Sequence, residues 1–168
     1  MPSILFVCTA NQFRSPLAAA CFINCLDQEN AHDKWRVESA GTWTIPGLPA
    51  ANLALKAAGR LGLPRLNAHR TRQVDQALLD QFDLILVMES GHLEAIASEF
   101  PSVCGRLKLL SEVADGLPYS ILDPADVRDD PQGVASELQL LIKRGANKIS
   151  TLAQSLHDAR QVSDQRGS

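Results

Sequence analysis

The sequence lacks the features that mark several large classes of protein. No apolar run approaches the ~20 residues of a membrane-spanning helix. The N-terminus has neither the basic start nor the long apolar segment of a secretory signal, so a cytoplasmic location is expected. Cations are not in surplus: 16 Lys and Arg stand against 19 Asp and Glu, a net charge of −3, with a pI near 5.8. That balance argues against the broad cationic footprint of a nucleic-acid binder or of a protein held on an anionic membrane, so phosphate binding has to be local. Only 4 cysteines occur, Cys8, Cys21, Cys25 and Cys104. They are too sparse for a secreted disulfide scaffold, and reduced thiols are expected. Neither a G-x-x-x-x-G-K-[ST] loop nor a Gly-rich dinucleotide turn is present, which removes kinase-type and nucleotide-binding readings. Internal repeats and low-complexity segments are also missing.

What is present is concentrated near the start, where positions 3–16 read Ser-Ile-Leu-Phe-Val-Cys-Thr-Ala-Asn-Gln-Phe-Arg-Ser-Pro. Ile4 to Val7 is an apolar, β-branched and aromatic run that reads as a buried strand stopping at Cys8. Ser15-Pro16 predicts a helix start, with Ser as the N-cap and Pro as the first helical residue. A short loop between strand and helix turns its backbone N–H groups inward at the positive end of the helix dipole. It therefore attracts both an anionic ligand and a thiolate. Cys8 lies at the floor of that loop and Arg14 at its end.

The 168 residues, 45% of them apolar, suit one globular domain, taken as 1–160 with a short tail, 161–168, expected to fray. Helical spacing covers Leu17 to Gln28. Within it Cys21 and Cys25 are one turn apart, but without a third ligand they read as small core residues rather than a metal pair. Trp35 to Ser39 reads as a second strand and 40–49 as a Gly/Pro-punctuated loop of the kind that carries function. Ala50 to Arg60 is expected to be a helix with Leu53, Ala54, Ala57 and Ala58 on one side, and Thr71 to Gln81 another. Phe82 to Met88 has the continuous apolar character of a strand buried on both faces. Ser90 is expected to cap a helix reaching Glu99, Arg106 to Leu110 to form a fourth strand, and Ser111 to Pro131 to be loop. Val134 to about Ala159 reads as an amphipathic helix with a weak point at Gly145. This alternation implies an α/β fold: a single domain with a four-stranded parallel sheet and helices on both faces. Ligands bind beyond the carboxyl ends of such strands, where Cys8 sits.

Those residues point to phosphate-monoester hydrolysis. An anionic nucleophile must reach an anionic phosphoryl group, and a poor leaving group must be protonated. Cys8 would be the nucleophile, its thiolate stabilised by the loop amides, the helix dipole and the Ser15 hydroxyl. Arg14, with its planar fork, would hold two phosphoryl oxygens. A carboxylic acid must then protonate the leaving oxygen and later activate water. Asp123, in Leu122-Asp123-Pro124-Ala125-Asp126, is the first choice, with Asp126, Asp129 and Asp130 as rivals.

These residues resemble the low-molecular-weight protein tyrosine phosphatases. The cysteine, five intervening residues and Arg-Ser-Pro stand at Cys8 to Pro16, with the family's asparagine at Asn11. Ser39-Ala40-Gly41-Thr42, His69 with Arg72, the run Leu84 to Glu89, and Asp123-Pro124 also match. The resemblance implies a cysteinyl-phosphate intermediate, no metal or other cofactor, and a phosphorylated protein as substrate. It makes Thr9, Ala10, Asn11, Gln12 and Phe13 the phosphate loop. Asn11 would be in a left-handed conformation, braced by Ser39 and His69. Four positions depart from the family. Phe13 replaces a second cysteine that can protect the nucleophile as a disulfide, so Cys8 is open to over-oxidation. Ala125 and Asp126 replace the usual aromatic residues of the pocket wall, so either Trp43 supplies more of any aromatic stacking or the pocket is less selective for a phenyl ring, and Trp43 reads equally as a loop anchor packed on the core. Gln12 stands where tyrosine phosphatases often have an aliphatic residue and related arginine phosphatases a threonine.

Three other functions compete. Gln12 keeps a protein arginine phosphatase open. A thiol-dependent arsenate reductase resembles the same loop but needs resolving cysteines, and Glu89 to Phe100 contains none. A noncatalytic binder of phosphorylated protein would explain Phe13, Ala125 and Asp126, yet binding alone requires neither Cys8 nor Asp123.

Overall fold

Four short strands, β1 (Ser3–Cys8), β2 (Arg36–Gly41), β3 (Leu84–Val87) and β4 (Leu107–Leu109), pair in parallel in the order β2-β1-β3-β4. The structure, a computed structural model, describes residues 1–125 and 130–167, apart from the side chains of Pro64 and Arg65. Parallel neighbours cannot be joined by hairpins, so each link crosses over through helix. The α-helices among the described residues are α1 (Arg14–Gln28), α2 (Asn52–Arg60), α3 (Gln76–Leu79), α4 (Ser90–Glu99), α5 (Leu110–Asp115) and α6 (Pro131–Arg166).

The side-chain period of two divides the core into two layers. Ile4, Phe6, Leu84 and Leu86 face α1, α2, α5 and α6, meeting residues such as Phe22, Ala54, Ala114 and Ile142. Leu5, Val7, Ile85 and Val87 face the opposite way, onto Leu79, Phe82, Ile96 and Val103. Because both faces are covered, β1 and β3 are buried along their whole length. The expected α/β class, with a four-stranded parallel sheet and helices on both faces, is the observed one. Cys21 and Cys25 are buried in the first layer. Burial, with Cys25 nearby, pushes the Cys21 thiol up to about 12. None of the four cysteines is in a disulfide.

Several elements differ from expectation, each for a local reason. Thr71 to Gln81 is helical only over Gln76–Leu79, with the Asp75 carboxylate accepting from the Leu78 N–H as N-cap. Residues 71–74 stay outside the helix because their polar groups bind the 42–48 loop. The Gln73 amide takes the Thr44 N–H and the Thr42 carbonyl, and the Thr71 hydroxyl takes the Leu48 N–H and the Ile45 carbonyl. Helix α4 is capped by Glu89, one residue before Ser90, in a reciprocal box with His92. Residues 111–115, expected as loop, join Leu110, expected at the end of the fourth strand, in α5. Helix α6 passes through Gly145 without a break. A Cβ there would lie 2.4 Å from the Ala114 Cβ of α5, so the glycine permits close helix packing. The same helix runs on to Arg166, so the stretch expected to fray from 161 is helical to that residue, with exposed side chains. No helix among the described residues is long and apolar enough to cross a membrane.

Candidate active site

The register of β1 against β2 places Cys8 beside Gly41, and Val7 beside Val87 of β3, so the carboxyl ends of three strands open together. Between Cys8 and α1 the chain turns tightly through Asn11, whose φ is 56°. Asparagine is among the few residues that adopt this left-handed conformation readily. Its buried amide then ties the loop together. Nδ2 donates to the hydroxyls of Ser15 and Ser39, both at 2.9 Å, and Oδ1 accepts from the Arg72 N–H at 2.9 Å. His69 Nε2 lies 2.7 Å from the Asn11 carbonyl, which can only accept, so the ring proton is on Nε2. Burial chiefly lowers the His69 pKa below its ordinary value, with Arg70 adding to the shift. Gly41 is required by close approach, because a Cβ there would lie 2.5 Å from the Thr9 carbonyl oxygen.

Ser15 is not the helix cap. Helix α1 starts at Arg14, and the Ser15 hydroxyl lies 3.0 Å from Cys8 Sγ while donating to the Ala40 carbonyl at 3.2 Å. A hydroxyl committed to the thiol and to β2 is unavailable for capping. Cys8 itself is only 2% exposed.

Arg14, also 2% exposed, is the largest fully buried side chain. Its Nη1 donates to Glu89 Oε2 at 2.7 Å and to the Ile121 carbonyl at 2.9 Å, and its Nη2 lies 3.3 Å from Asp123 Oδ2. Asp123 is held in turn by the Ala125 N–H on Oδ1 at 2.9 Å. A cleft of about 270 Å³ is lined by Cys8, Ala10, Gln12, Phe13, Arg14, Asp123 and Ala125, all expected from sequence. Pro124, Pro131, Ala51 and Leu53 complete it. Gln12 leans toward the 42–51 loop, its Nε2 3.2 Å from the Pro49 carbonyl. Of the rival acids, Asp130 caps α6 by accepting from the Gly133 N–H, whereas Asp126 and Asp129 lie outside the described residues.

Trp43 does not line the cleft. Its side chain is 83% exposed, and only its backbone joins the site, through an N–H to the Thr9 carbonyl at 3.0 Å. The apolar wall comes instead from Phe13 and Leu53. Sequence spacing groups Leu53 with Ala54, Ala57 and Ala58 on one side of α2, but the buried stripe is the three alanines alone. Two further residues had no role in the sequence reading. Glu89 is the carboxylate closest to Arg14, and His92 Nε2 lies 2.8 Å from Thr9 Oγ1. The signals available are the Glu-x-x-His spacing at a helix start and, for Glu89, its place at the end of the matching run Leu84 to Glu89. Among the described residues no group of three or more His, Cys, Asp or Glu is placed to hold a metal ion.

In chemical terms the cleft brings a buried thiol, an anchored guanidinium and a carboxylate to one wall, with a helix N-terminus behind them. Known proteins resemble this chain in family, sequence and structure. The family model for low molecular weight phosphotyrosine protein phosphatase matches residues 3–162. A protein-arginine-phosphatase of Geobacillus stearothermophilus is 33% identical over 149 residues, 88% of this chain and 96% of the relative. The human low molecular weight phosphotyrosine protein phosphatase is 36% identical over 126 residues, 73% of this chain and 78% of the relative. The crystal structure of the tyrosine phosphatase Wzb from Escherichia coli K30 in complex with sulphate superposes with a TM-score of 0.75 at 32% identity, covering 89% of this chain and 99% of Wzb. The chain belongs to the low molecular weight phosphotyrosine protein phosphatase family.

Proposed function

We propose that this chain hydrolyses phosphotyrosine in proteins, or a related aryl phosphate, through a cysteinyl-phosphate intermediate. The observation that carries the proposal is the convergence of Cys8, Arg14 and Asp123 on one cleft, with Cys8 Sγ against the Ser15 hydroxyl at 3.0 Å. The Cys8 thiolate attacks phosphorus, and the bond from phosphorus to the tyrosyl oxygen breaks as Asp123 gives that oxygen its proton. Asp123 then takes a proton from water, which attacks phosphorus and returns the thiolate and inorganic phosphate. The inward N–H groups of the loop from Thr9 to Phe13 and the Arg14 fork meet the charge spread over the equatorial oxygens. Asp123 presently shares Arg14 with Glu89, so an incoming phosphoryl group competes with Asp123 for Nη2 and frees the acid. Phe13 and Leu53 pack on the substrate ring, and Trp43 meets the protein surface around it. A cytoplasmic location is supported by four unpaired cysteines.

An aryl phosphate assayed in EDTA tests the scheme. Cys8→Ser is expected to abolish turnover, and Asp123→Ala to remove it while leaving inorganic phosphate binding intact. Equal activity from the serine variant refutes the mechanism, and loss in Asp126→Ala instead reassigns the acid. Side-by-side turnover of phosphotyrosine and phosphoarginine peptides tests the substrate, since the Geobacillus relative is an arginine phosphatase and Gln12 lines the cleft. A thiol relay for arsenate reduction has little support, because Cys21 and Cys25 are buried in the core and Cys104 is exposed.

A further inference from the structure

His92, in the first turn of α4, is 6% exposed and takes no part in the scheme above. Its Nδ1 lies 3.2 Å from the Glu89 backbone nitrogen, which can only donate, so Nδ1 carries no proton. The single proton of the neutral ring is therefore on Nε2, 2.8 Å from Thr9 Oγ1, and is donated to that hydroxyl. Thr9 directly follows Cys8, and its carbonyl is already fixed by the Trp43 N–H. The ring thus joins the start of the phosphate loop to the residue whose side chain anchors Arg14.

We propose that His92 is a positioning residue for the reaction. Its neutral ring holds Thr9 through Nε2–H and leaves the Glu89 carboxylate to Arg14. The inference rests on the phosphatase reading of the cleft. The charged groups facing the ring are Arg14 from α1, Glu89 from the α4 cap and Asp123 from the segment before α6, and Thr9 is the neutral partner. A second proton would reverse the arrangement. Nδ1–H would point at the Glu89 N–H, donor against donor. The charged ring would also draw on Glu89 Oε2, 3.4 Å from Nε2, in competition with Arg14. The site opposes that proton, for burial first and Arg14 second hold His92 below the ordinary value of 6.5.

Two amide variants separate this role from simple helix capping. In His92→Asn the amide oxygen replaces Nδ1 and keeps the Glu89 N–H bond, but nothing reaches Thr9. In His92→Gln the amide nitrogen reaches as far as Nε2 and donates to Thr9 without titrating. Positioning predicts that His92→Asn loses about tenfold in kcat/KM toward an aryl phosphate, the size set by one hydrogen bond. Affinity for inorganic phosphate is expected to fall with it. His92→Gln is expected to recover most of the loss, and its activity to extend to lower pH than the wild type. Thr9→Val and His92→Asn are expected to be non-additive, the double variant losing less than the two single losses multiplied together. A capping role alone predicts the reverse, full activity in His92→Asn and impairment in His92→Gln, and that result overturns the proposal. Nitrogen-15 spectra of the imidazole are expected to show protonated Nε2 and bare Nδ1, and the opposite tautomer also overturns it. If wild-type protein hydrolyses no aryl phosphate, the phosphatase reading fails, while tautomer and phosphate affinity still decide for or against the Thr9 tie.

Discussion

Replacing Asn11 by alanine strikes the turn between β1 and α1 at the residue where backbone and side-chain constraints coincide. The substitution removes three buried hydrogen bonds, to Ser15, Ser39 and the Arg72 N–H. Each is worth about 1 kcal/mol net. It also puts a residue with a Cβ but no compensating amide at a φ of 56°, at a cost of about 1 kcal/mol. The expected destabilisation is about 4 kcal/mol in all. For a chain of this length that corresponds to a fall in melting temperature of roughly 8–16 °C. Asn11→Gly separates the two contributions, because glycine accepts positive φ freely while losing the same amide bonds. It is expected to be more stable than the alanine variant by about 1 kcal/mol, yet as deficient in phosphate binding. Thermal denaturation gives the stabilities, and titration with inorganic phosphate gives the binding. An alanine variant within about 1 kcal/mol of wild type, or a glycine variant no more stable than alanine, would refute the reasoning.

Other outcomes follow from the same contacts. His69 and His92 are both held below 6.5, in each case by burial before any other cause. Between their folded values and 6.5 the unfolded chain binds more protons, so stability falls as pH drops through that window and is level above it. A urea midpoint no lower near pH 5.5 than near pH 7.5 would contradict this. Glu89→Gln replaces the charged acceptor 2.7 Å from Arg14 by a neutral one. Stability and phosphate affinity should both fall, stability by about 1–2 kcal/mol, as measured by denaturation and titration. Gly145→Ala improves helix propensity by about 1 kcal/mol, but its Cβ would lie 2.4 Å from the Ala114 Cβ and 2.6 Å from the Ala114 Cα. Moving α5 aside costs about 1–3 kcal/mol, so a net loss is expected, and a rise in melting temperature would count against the close packing.

The sequence alone determined the strand alternation, the α/β class and the tight turn between β1 and α1. Burial on both faces writes β1 and β3 as unbroken apolar runs, and the turn draws its cysteine, asparagine and arginine from one short stretch of chain. Tertiary structure decided whatever depends on partners far away along the chain. Ser15 reads as a cap by residue type, but its hydroxyl is taken by Cys8 and Ala40. Thr71 to Val74 favour no single local structure until the 42–48 loop claims their polar groups. Gly145 reads as a helix weakness until Ala114 lies against it. Trp43 offers the aromatic surface that a pocket wall needs, yet the direction of its loop leaves it 83% exposed and gives the wall to Phe13 and Leu53. Glu89 and His92 reach the site because parallel pairing sets the end of β3 beside Cys8. Propensity and period act within a few residues, whereas a hydrogen bond or a close contact is settled only when the sheet brings its ends together.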